Sequence, residues 1–256
     1  MKILLFCACI FILVLACNKN DGKTLCHADQ VQFFTDARLT HTINYEYDDQ
    51  GRIKRTIDGI TTFKYDYFTD SVVVTQTISP SPGYSRITYF LNNAGLASSS
   101  KLISSSNVNG SQFDKTYTYD SEGYLTGERQ IHSGLYNGII LHDTDYTSYS
   151  LINGNIIKRA SWGAYGAHEL YFEYSALPLL ANIPVLNPFP SSEGSFLGKK
   201  PTNLLSKTKP SNNGNTFDTI SYSLGFGGKV LQMTTTVTEP RGGGGPETAQ
   251  IHYRCD

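Results

Sequence analysis

The feature that most constrains this chain is a recurring aromatic strand followed by a tight turn. The run Tyr45-Glu46-Tyr47-Asp48-Asp49-Gln50-Gly51 is echoed by Tyr117-Thr118-Tyr119-Asp120-Ser121-Glu122-Gly123. Residues two apart in a strand lie on the same face, so each tyrosine pair predicts a buried strand face. An Asp that starts a turn accepts hydrogen bonds from nearby amides, and Gly adopts positive φ, so Asp-x-x-Gly predicts a turn closed by a glycine bulge. Each copy therefore predicts one antiparallel hairpin.

Weaker copies of the hairpin repeat along the chain. Aromatic strands lead to glycines at 89–95, 149–154 and 222–228, and the aromatic strand recurs without the glycine at 63–66 and 172–175. The apolar residue two positions after each glycine is expected to restart the buried face; these residues are Ile53, Leu125, Ile156 and Val230.

The composition agrees with a β-rich protein. Aromatic residues make up 12% of the 256 residues and charged residues only 17%, and aromatics favour half-buried pleated surfaces. The pattern predicts an all-β fold with little helix: a single domain over 28–256, built as an antiparallel meander of long hairpins curved into a repeat-like sheet or an open half-barrel. The Pro-rich segment 177–190 is expected to cover the apolar face of that sheet, because proline excludes a central strand.

The N-terminus has the form of an export signal. Met1-Lys2 precedes an apolar run at 3–16, and polar residues follow Cys17 directly. The run is too short to span a bilayer as a helix and is typical of a secretory signal. The ending Val14-Leu15-Ala16-Cys17 resembles a bacterial lipobox, which implies removal of 1–16, lipid on Cys17 and a tether over 17–27. An ordinary signal peptide and an uncleaved anchor are the alternatives.

The repeats carry a family resemblance. Tyr-x-Tyr-Asp-x-x-Gly resembles the Tyr-Asp hairpin repeats of Rhs-type envelope proteins. With the lipobox, the chain length and the segment Gly198-Lys199-Lys200-Pro201-Thr202-Asn203-Leu204-Leu205, the chain is similar to an uncharacterised family of Bacteroidota envelope lipoproteins. The resemblance implies an antiparallel meander and no established activity. The residue after Cys17 is Asn18 rather than Asp, so the best-known signal for retention in the inner membrane is absent. This favours the bacterial outer membrane, on either of its faces.

Two cysteines remain for the mature chain. Cys7 and Cys9 belong to the signal and Cys17 to the lipid anchor, which leaves Cys26 and Cys255 in an oxidising compartment. We predict a disulfide between them that joins the two ends of the domain. Two free buried thiols are the alternative, because spacing alone does not show that the cysteines meet.

Known catalytic patterns are missing from the sequence. The six histidines are scattered, the carboxylates sit mostly in turns, and neither a Gly-x-Ser-x-Gly elbow, a His-Glu-x-x-His helix nor a Cys-x-x-Cys pair occurs. The Gly-rich run at 239–247 has no Lys-Ser/Thr after it, so it lacks the pattern of a phosphate-binding loop. It is expected to be a hairpin tip. We therefore predict a protein that is not an enzyme and uses no cofactor and no metal; a hydrolase with carboxylates from separate strands is the least favoured alternative.

One aromatic stretch is a candidate binding surface. The segment 159–168 places Trp162 and Tyr165 among glycines, where their rings could face a sugar or a protein partner. The alternative is that Trp162 packs inward beside Ile156 and Leu170.

The sequence thus predicts a lipid-anchored envelope protein that serves as a binding or scaffold module for a glycan or a protein. The alternative is a carrier or sensor of an apolar ligand held in a curved-sheet cavity. With Lys+Arg 21 against Asp+Glu 22, the formal net charge of -1 gives no sign of nucleic-acid binding.

Overall fold

The structure is a computed structural model, and it describes residues 26–80, 83–104, 112–136, 139–164, 166–179, 194–210, 217–225, 230–238 and 247–255. These residues form sixteen strands and one short 3-10 helix, Ser195–Leu197. Among them, no helix is long and apolar enough to cross a bilayer.

The strands follow one another along the chain. The first eight are β1 (Cys26–Thr35), β2 (Arg38–Tyr47), β3 (Ile53–Asp58), β4 (Thr61–Tyr67), β5 (Ser71–Ile78), β6 (Tyr84–Leu91), β7 (Ala97–Ser104) and β8 (Gln112–Tyr119). The second eight are β9 (Leu125–Tyr136), β10 (Ile139–Ile152), β11 (Asn155–Gly163), β12 (Gly166–Pro178), β13 (Asn203–Pro210), β14 (Phe217–Leu224), β15 (Val230–Thr238) and β16 (Glu247–Cys255).

The sheet closes into a barrel. Every strand pairs antiparallel with its neighbours in sequence, and β1 also pairs with β16, from Cys26 opposite Cys255 to Thr35 opposite Glu247. The all-β meander with almost no helix is confirmed, but the open half-barrel is wrong, because the first and last strands complete each other's hydrogen bonds. We call the end that holds Cys26, Cys255 and the Asp-x-x-Gly turns the base, and the opposite end the mouth.

The repeated turns form as predicted. The side-chain oxygen Oδ1 of Asp48 accepts hydrogen bonds from the amides of Gln50 and Arg52, at 3.0 and 2.9 Å, and Gly51 has a φ of 73°. The register shifts by one residue between Glu46 and Tyr47, which is the expected bulge. Asp120 and Gly123 repeat this geometry, so local sequence sets the hairpin geometry at the base.

Apolar side chains dominate the inner face of the barrel near the base, and polar side chains are common on the outer face. Residues directly opposite each other share a face, so the buried clusters identify the inner positions on every strand. The outer positions are rich in charged and hydroxyl side chains; among them are Gln32, Asn44, Glu46, Arg55, Lys64, Thr75, Arg86, Thr88, Lys101, Thr116, Arg129, Lys158, Glu173, Lys207, Thr219, Thr234 and Gln250. The buried aromatic face and the wet polar face predicted from the repeat are both confirmed.

Side chains fill the base half of the interior. Three clusters of buried residues lie there, centred on Val31, Val72 and Leu125. The residues predicted to restart the buried face after each glycine, Ile53, Leu125, Ile156 and Val230, are at most 5% exposed.

Tyrosine hydroxyls join neighbouring hairpins at the base. The second tyrosine of the repeat, Tyr47, donates to the carbonyl oxygen of Ala28 on the preceding strand at 2.8 Å. The same bond links Tyr67 to Ile53, Tyr174 to Ile156, Tyr222 to Leu205 and Tyr253 to Val230. Each bond satisfies a carbonyl near the base, where the two strands have no turn connecting them. We call these five contacts the tyrosine clamps.

A single segment replaces the clamps where the described strands lack them. Leu91 and Leu151 stand at the corresponding positions of β6 and β10, and on β8 the buried hydroxyl of Tyr119 has no hydrogen-bond partner among the described residues. Residues 194–202, the plug segment, cross the base at these strands. Phe196 packs 5.0 Å from the Tyr89 ring, and the amides of Lys199 and Thr202 donate to the carbonyls of Gly123 and Gly154.

The plug fits because Gly198 has no side chain. Its φ is 100°, and a Cβ there would lie 3.1 Å from both the Tyr119 ring and the Gly123 carbonyl oxygen. The expected cover of an open sheet face, 177–190, lies outside the described residues after Leu179. Among the described residues, the later part of the same β12–β13 connection closes the base from within the barrel.

The two mature cysteines meet in the register of the closing strands. Cys26 lies directly opposite Cys255 in the β1–β16 pair. Opposite residues in antiparallel pairs have Cα atoms about 4.5–5.5 Å apart, inside the range of about 4.4–6.8 Å for disulfides. The bond stays a prediction, and peptide mapping without reduction is expected to recover a linked peptide pair. Alkylation of both thiols in the folded protein would contradict it.

The clamps predict a fold that is lost in alkali. Burial is the main cause that raises the pKa of Tyr67 and Tyr253 to about 12, and it raises the pKa values of Tyr45, Tyr47, Tyr119, Tyr149, Tyr174 and Tyr222 further. A group that holds its proton more tightly when folded stabilises the fold fully below its unfolded pKa, about 10 for tyrosine. The free energy of unfolding is therefore expected to fall steadily above pH 10, with phenolate absorbance rising together with the loss of circular dichroism. Ionisation of these phenols near pH 10 in a barrel that stays folded would contradict the prediction.

Candidate ligand-binding surface

An aromatic pair stands exposed on the outer wall of the barrel. Trp162 on β11 lies opposite Tyr146 on β10, and their rings stack at 5.6 Å with an interplanar angle of 12°. Trp162 is 45% exposed and Tyr146 37%. Tryptophan is usually largely buried, so a fixed, exposed pair of rings marks this place as a candidate for binding.

Small side chains lie beside the pair on β10, β11 and β12, whereas Arg129 lies opposite Tyr146 on β9. Ala160 and Ser148 are the next outward residues of β11 and β10, and Ala167 lies opposite Trp162 on β12. Four residue steps separate Trp162 from Lys158 on the same strand, about 13 Å at 3.3 Å per residue. Between the aromatic pair and Lys158, the outward positions of β10 and β11 thus hold small side chains, and Glu169 lies opposite Ala160 on β12.

A charged group lies at the other end of this stretch of small side chains. Lys158 pairs with Glu169 at 2.6 Å, the Tyr171 hydroxyl donates to Glu169 at 2.7 Å, and the Lys158 ammonium lies 5.4 Å from the Tyr171 ring centroid. The hydrogen bond between Lys158 and Glu169 is the main cause that raises the pKa of Lys158 and lowers that of Glu169. Both groups are thus charged over the physiological range. We call the whole surface the wall trough; it comprises Tyr146, Ser148, Lys158, Ala160, Trp162, Ala167, Glu169 and Tyr171.

The structure places Trp162 outward, so its inward packing beside Ile156 and Leu170 is wrong. Ile156 lies opposite Leu151, but Lys158 lies opposite Ser150, so one extra residue is inserted after Ile156. This bulge reverses the alternation, and Trp162 ends on the face opposite to Ile156. Tyr165, the second predicted binding residue, and Cys17, the predicted lipid attachment, lie outside the described residues.

The inner wall carries a polar network on β8, β9 and β10, beside the strands of the trough. Lys115 on β8 pairs with Glu128 on β9 at 3.0 Å, and the Tyr149 hydroxyl donates to the other carboxylate oxygen. The Glu128 side chain is only 9% exposed. Burial, and next the charge of Glu128, raise the pKa of Tyr149 well above its usual range. These polar groups satisfy one another, which makes the network a structural filling of the interior.

A second inner contact lies nearer the mouth. Nε2 of His132 lies 2.9 Å from Asp145 Oδ2 and 2.8 Å from the Gln130 amide nitrogen, and the ring packs edge-on against Phe113. Gly163 makes room for the carboxylate, because a Cβ there would lie 1.7 Å from Asp145 Oδ1. In the part of the chain that the structure describes, no three His, Cys, Asp or Glu side chains gather in a way that could hold a metal ion.

A polar pocket lies at the base beside the closing strands. It has a volume of about 340 Å³, and its lining includes His27, Asp29, Tyr47, Asp48 and Arg254. The His27 ring lies 4.6 Å from the Tyr47 ring, and Asp48 is already engaged by the turn amides and by Arg52 at 2.6 Å. Burial opposes ionisation of Asp48, but the hydrogen bonds from Arg52 outweigh it and lower the pKa. Its carboxylate is therefore part of the turn.

The fold is shared with two solved bacterial structures. The sequence matches no protein-family model and no curated protein. A porin-like protein from Bacteroides uniformis ATCC 8492 is 18% identical, with a TM-score of 0.66 over 90% of this chain and 98% of that one. A porin-like protein from Bacteroides vulgatus ATCC 8482 is 13% identical, with a TM-score of 0.62 over 89% and 98%. The chain therefore has the barrel architecture of these proteins over almost their whole length.

Sequence reasoning missed most of the trough. Tyr146, Lys158, Glu169 and Tyr171 gave no motif, because they come from three strands, and Lys158 shares a face with Trp162 only because both follow the bulge in β11. The available signal was the hairpin turn at Asn153-Gly154. If the β10–β11 pairing is counted outward from this turn, with one extra residue on β11 after Ile156, position 146 lies opposite position 162. That count would have placed a tyrosine beside the only tryptophan.

Proposed function

We propose that this chain is a lipid-anchored protein of the bacterial outer membrane that binds a glycan on its outer wall without chemical turnover. The exposed stacked pair of Tyr146 and Trp162 carries the proposal. Sugar rings present C–H faces that pack on aromatic rings, and their hydroxyls bond to carboxylate and ammonium groups such as Glu169 and Lys158. The trough offers both kinds of contact within about 13 Å along a strand.

The interior gives less support for binding. Its base half is filled by the three clusters and by Phe196 and Leu197 of the plug. An apolar ligand would have to displace these side chains, so the arrangement does not favour the carrier alternative. Toward the mouth, Lys115 with Glu128 and His132 with Asp145 already pair with each other.

The outer surface supports a lipid anchor as the means of attachment. A membrane-spanning barrel alternates apolar residues toward lipid with polar residues toward its lumen. The described strands have the reverse alternation, with charged side chains such as Glu46, Arg55 and Lys64 on the outside. A barrel of this kind suits water, and acylation of Cys17 would hold it to the membrane.

Replacing the tryptophan is expected to abolish glycan binding with little effect on the fold. An array of bacterial, plant and host oligosaccharides identifies a ligand for the wild type, and isothermal titration then compares variants. Trp162→Ala should weaken binding at least tenfold, since the stacking surface is lost, and Glu169→Gln should weaken it less. Because Trp162 is half exposed, the free energy of unfolding should change by less than about 1 kcal/mol.

Phe90→Ala is the matched control, because Phe90 is an outward aromatic residue, 46% exposed, on a distant part of the wall. Its affinity should equal that of the wild type. Equal affinity of Trp162→Ala and wild type would refute the trough as the glycan site. An array without any bound glycan would favour a protein partner instead.

The anchor is tested on the mature protein itself. Intact mass after expression in a lipoprotein-competent bacterium should show a chain that begins at Cys17 and carries acyl groups. Cys17→Ser should lose that mass and remain uncut before residue 17. A mature chain that begins elsewhere and lacks acyl groups would contradict the anchor while leaving the glycan test unaffected.

A further inference from the structure

The outer wall around the trough carries more positive than negative charge. Across β9 to β13, the outward positions that the structure describes hold four basic side chains, Arg129, Lys158, Lys207 and Lys209, and two acidic ones, Glu169 and Glu173. Both carboxylates are paired, Glu169 with Lys158 at 2.6 Å and Glu173 with Lys207 at 3.7 Å. Arg129 and Lys209 are therefore positive charges in excess.

Arg129 is the excess charge beside the aromatic pair. It lies directly opposite Tyr146 on the neighbouring strand, is exposed, and forms no ion pair with any residue that the structure describes. The nearest outward carboxylate of β8, Asp114, lies one outward position further toward the mouth and directly opposite Lys101. The guanidinium of Arg129 thus has donors left for a ligand.

The Tyr146 ring has an open face on the side of Arg129. One of its faces meets Trp162, stacked at 5.6 Å, so the other face is directed toward β9. Within the described part of the chain, no cation lies over the Tyr146 ring. Neighbouring strands lie about 4.8 Å apart. A sugar ring packed against this pair would therefore bring its substituents within about one strand spacing of Arg129.

The second excess charge lies at the other end of the trough. Lys209 on β13 lies directly opposite Tyr171, and among the described residues it has no ion-pair partner. The nearby carboxylate of Glu169 already accepts hydrogen bonds from Lys158 and Tyr171. One unpaired cation thus flanks each end of the trough, which favours the approach of an anion.

We propose that the glycan bound at the wall trough is acidic, and that Arg129 binds one of its carboxylate or sulfate groups beside the aromatic pair. The planar guanidinium forms two parallel hydrogen bonds to such a group, which a lysine ammonium does not reproduce. The inference rests on the proposed glycan binding, and it adds the class of ligand and a residue that determines specificity.

Matched oligosaccharides test the charge of the ligand. The wild type is titrated with oligogalacturonate and with sialyllactose, each beside its uncharged methyl ester, and with a sulfated galactan fragment beside its desulfated form. In at least one pair the acidic member should bind at least about tenfold more tightly. Its affinity should fall as the salt concentration rises, because salt screens a contact between exposed charges. The pairs also separate carboxylate from sulfate recognition.

Substitutions at Arg129 test its role. Arg129→Gln should remove the preference, so that the acidic member binds only as tightly as its neutral counterpart, and Arg129→Lys should restore part of it. Arg86→Gln is the matched control, because Arg86 is an exposed outward arginine on β6, far from the trough, and forms no ion pair with the described residues. It should bind like the wild type, and thermal unfolding should be the same for all three variants.

The outcomes separate this inference from the glycan site itself. Equal, Trp162-dependent affinity for acidic and neutral sugars overturns the acidic ligand and leaves the glycan site standing. A preference for the acidic sugar that survives Arg129→Gln overturns the role of Arg129. Absence of binding to every oligosaccharide, in these pairs and on the array, contradicts the proposed function, and the inference is refuted with it.

Discussion

The barrel depends on satisfying the carbonyl groups at its base. Each Asp-x-x-Gly turn joins two strands, but the hairpins themselves have no covalent connection at this end. The tyrosine clamps bridge those gaps: the hydroxyl of Tyr67, for example, reaches the carbonyl of Ile53 on the preceding strand at 2.9 Å. A buried carbonyl without a partner costs about 1–3 kcal/mol, so the second tyrosine of the repeat both fills the interior and closes the seam between hairpins.

The plug segment follows from the strands that lack a clamp. On β6, β8 and β10 the clamp position holds Leu91, Tyr119 and Leu151, and the Tyr119 hydroxyl has no hydrogen-bond partner among the described residues. The plug supplies there what the clamps supply elsewhere: backbone bonds to Gly123 and Gly154 and the apolar side chains of Phe196 and Leu197. A wide barrel cannot fill its centre from its wall alone, and a chain segment turned inward provides the missing volume.

The sequence predicted what depends on neighbouring residues. The turn at Asp48–Gly51, the inward tyrosines and the buried residues after each glycine all follow from period-two alternation and local turn chemistry. Closure did not follow, because it depends on β1 and β16, whose pairing joins residues more than two hundred positions apart and has no motif. Trp162 shows a subtler limit: one extra residue after Ile156 reverses every later side chain of β11, and counting by twos across a bulge gives the wrong face.

The likeness to porin-like structures and the chemistry of the wall bear on different questions. The shared architecture describes how the backbone closes, whereas the alternation of side chains decides which solvent each face meets. Here the inner positions near the base are aliphatic and aromatic, and the outer positions carry ion pairs such as Glu46 with Arg55 and Lys64 with Asp66. The base is packed and the inner pairs Lys115–Glu128 and His132–Asp145 are formed, whereas the stacked rings of Tyr146 and Trp162 stay exposed on the outer wall. A binding partner that covers those rings gives the exposure a physical reason.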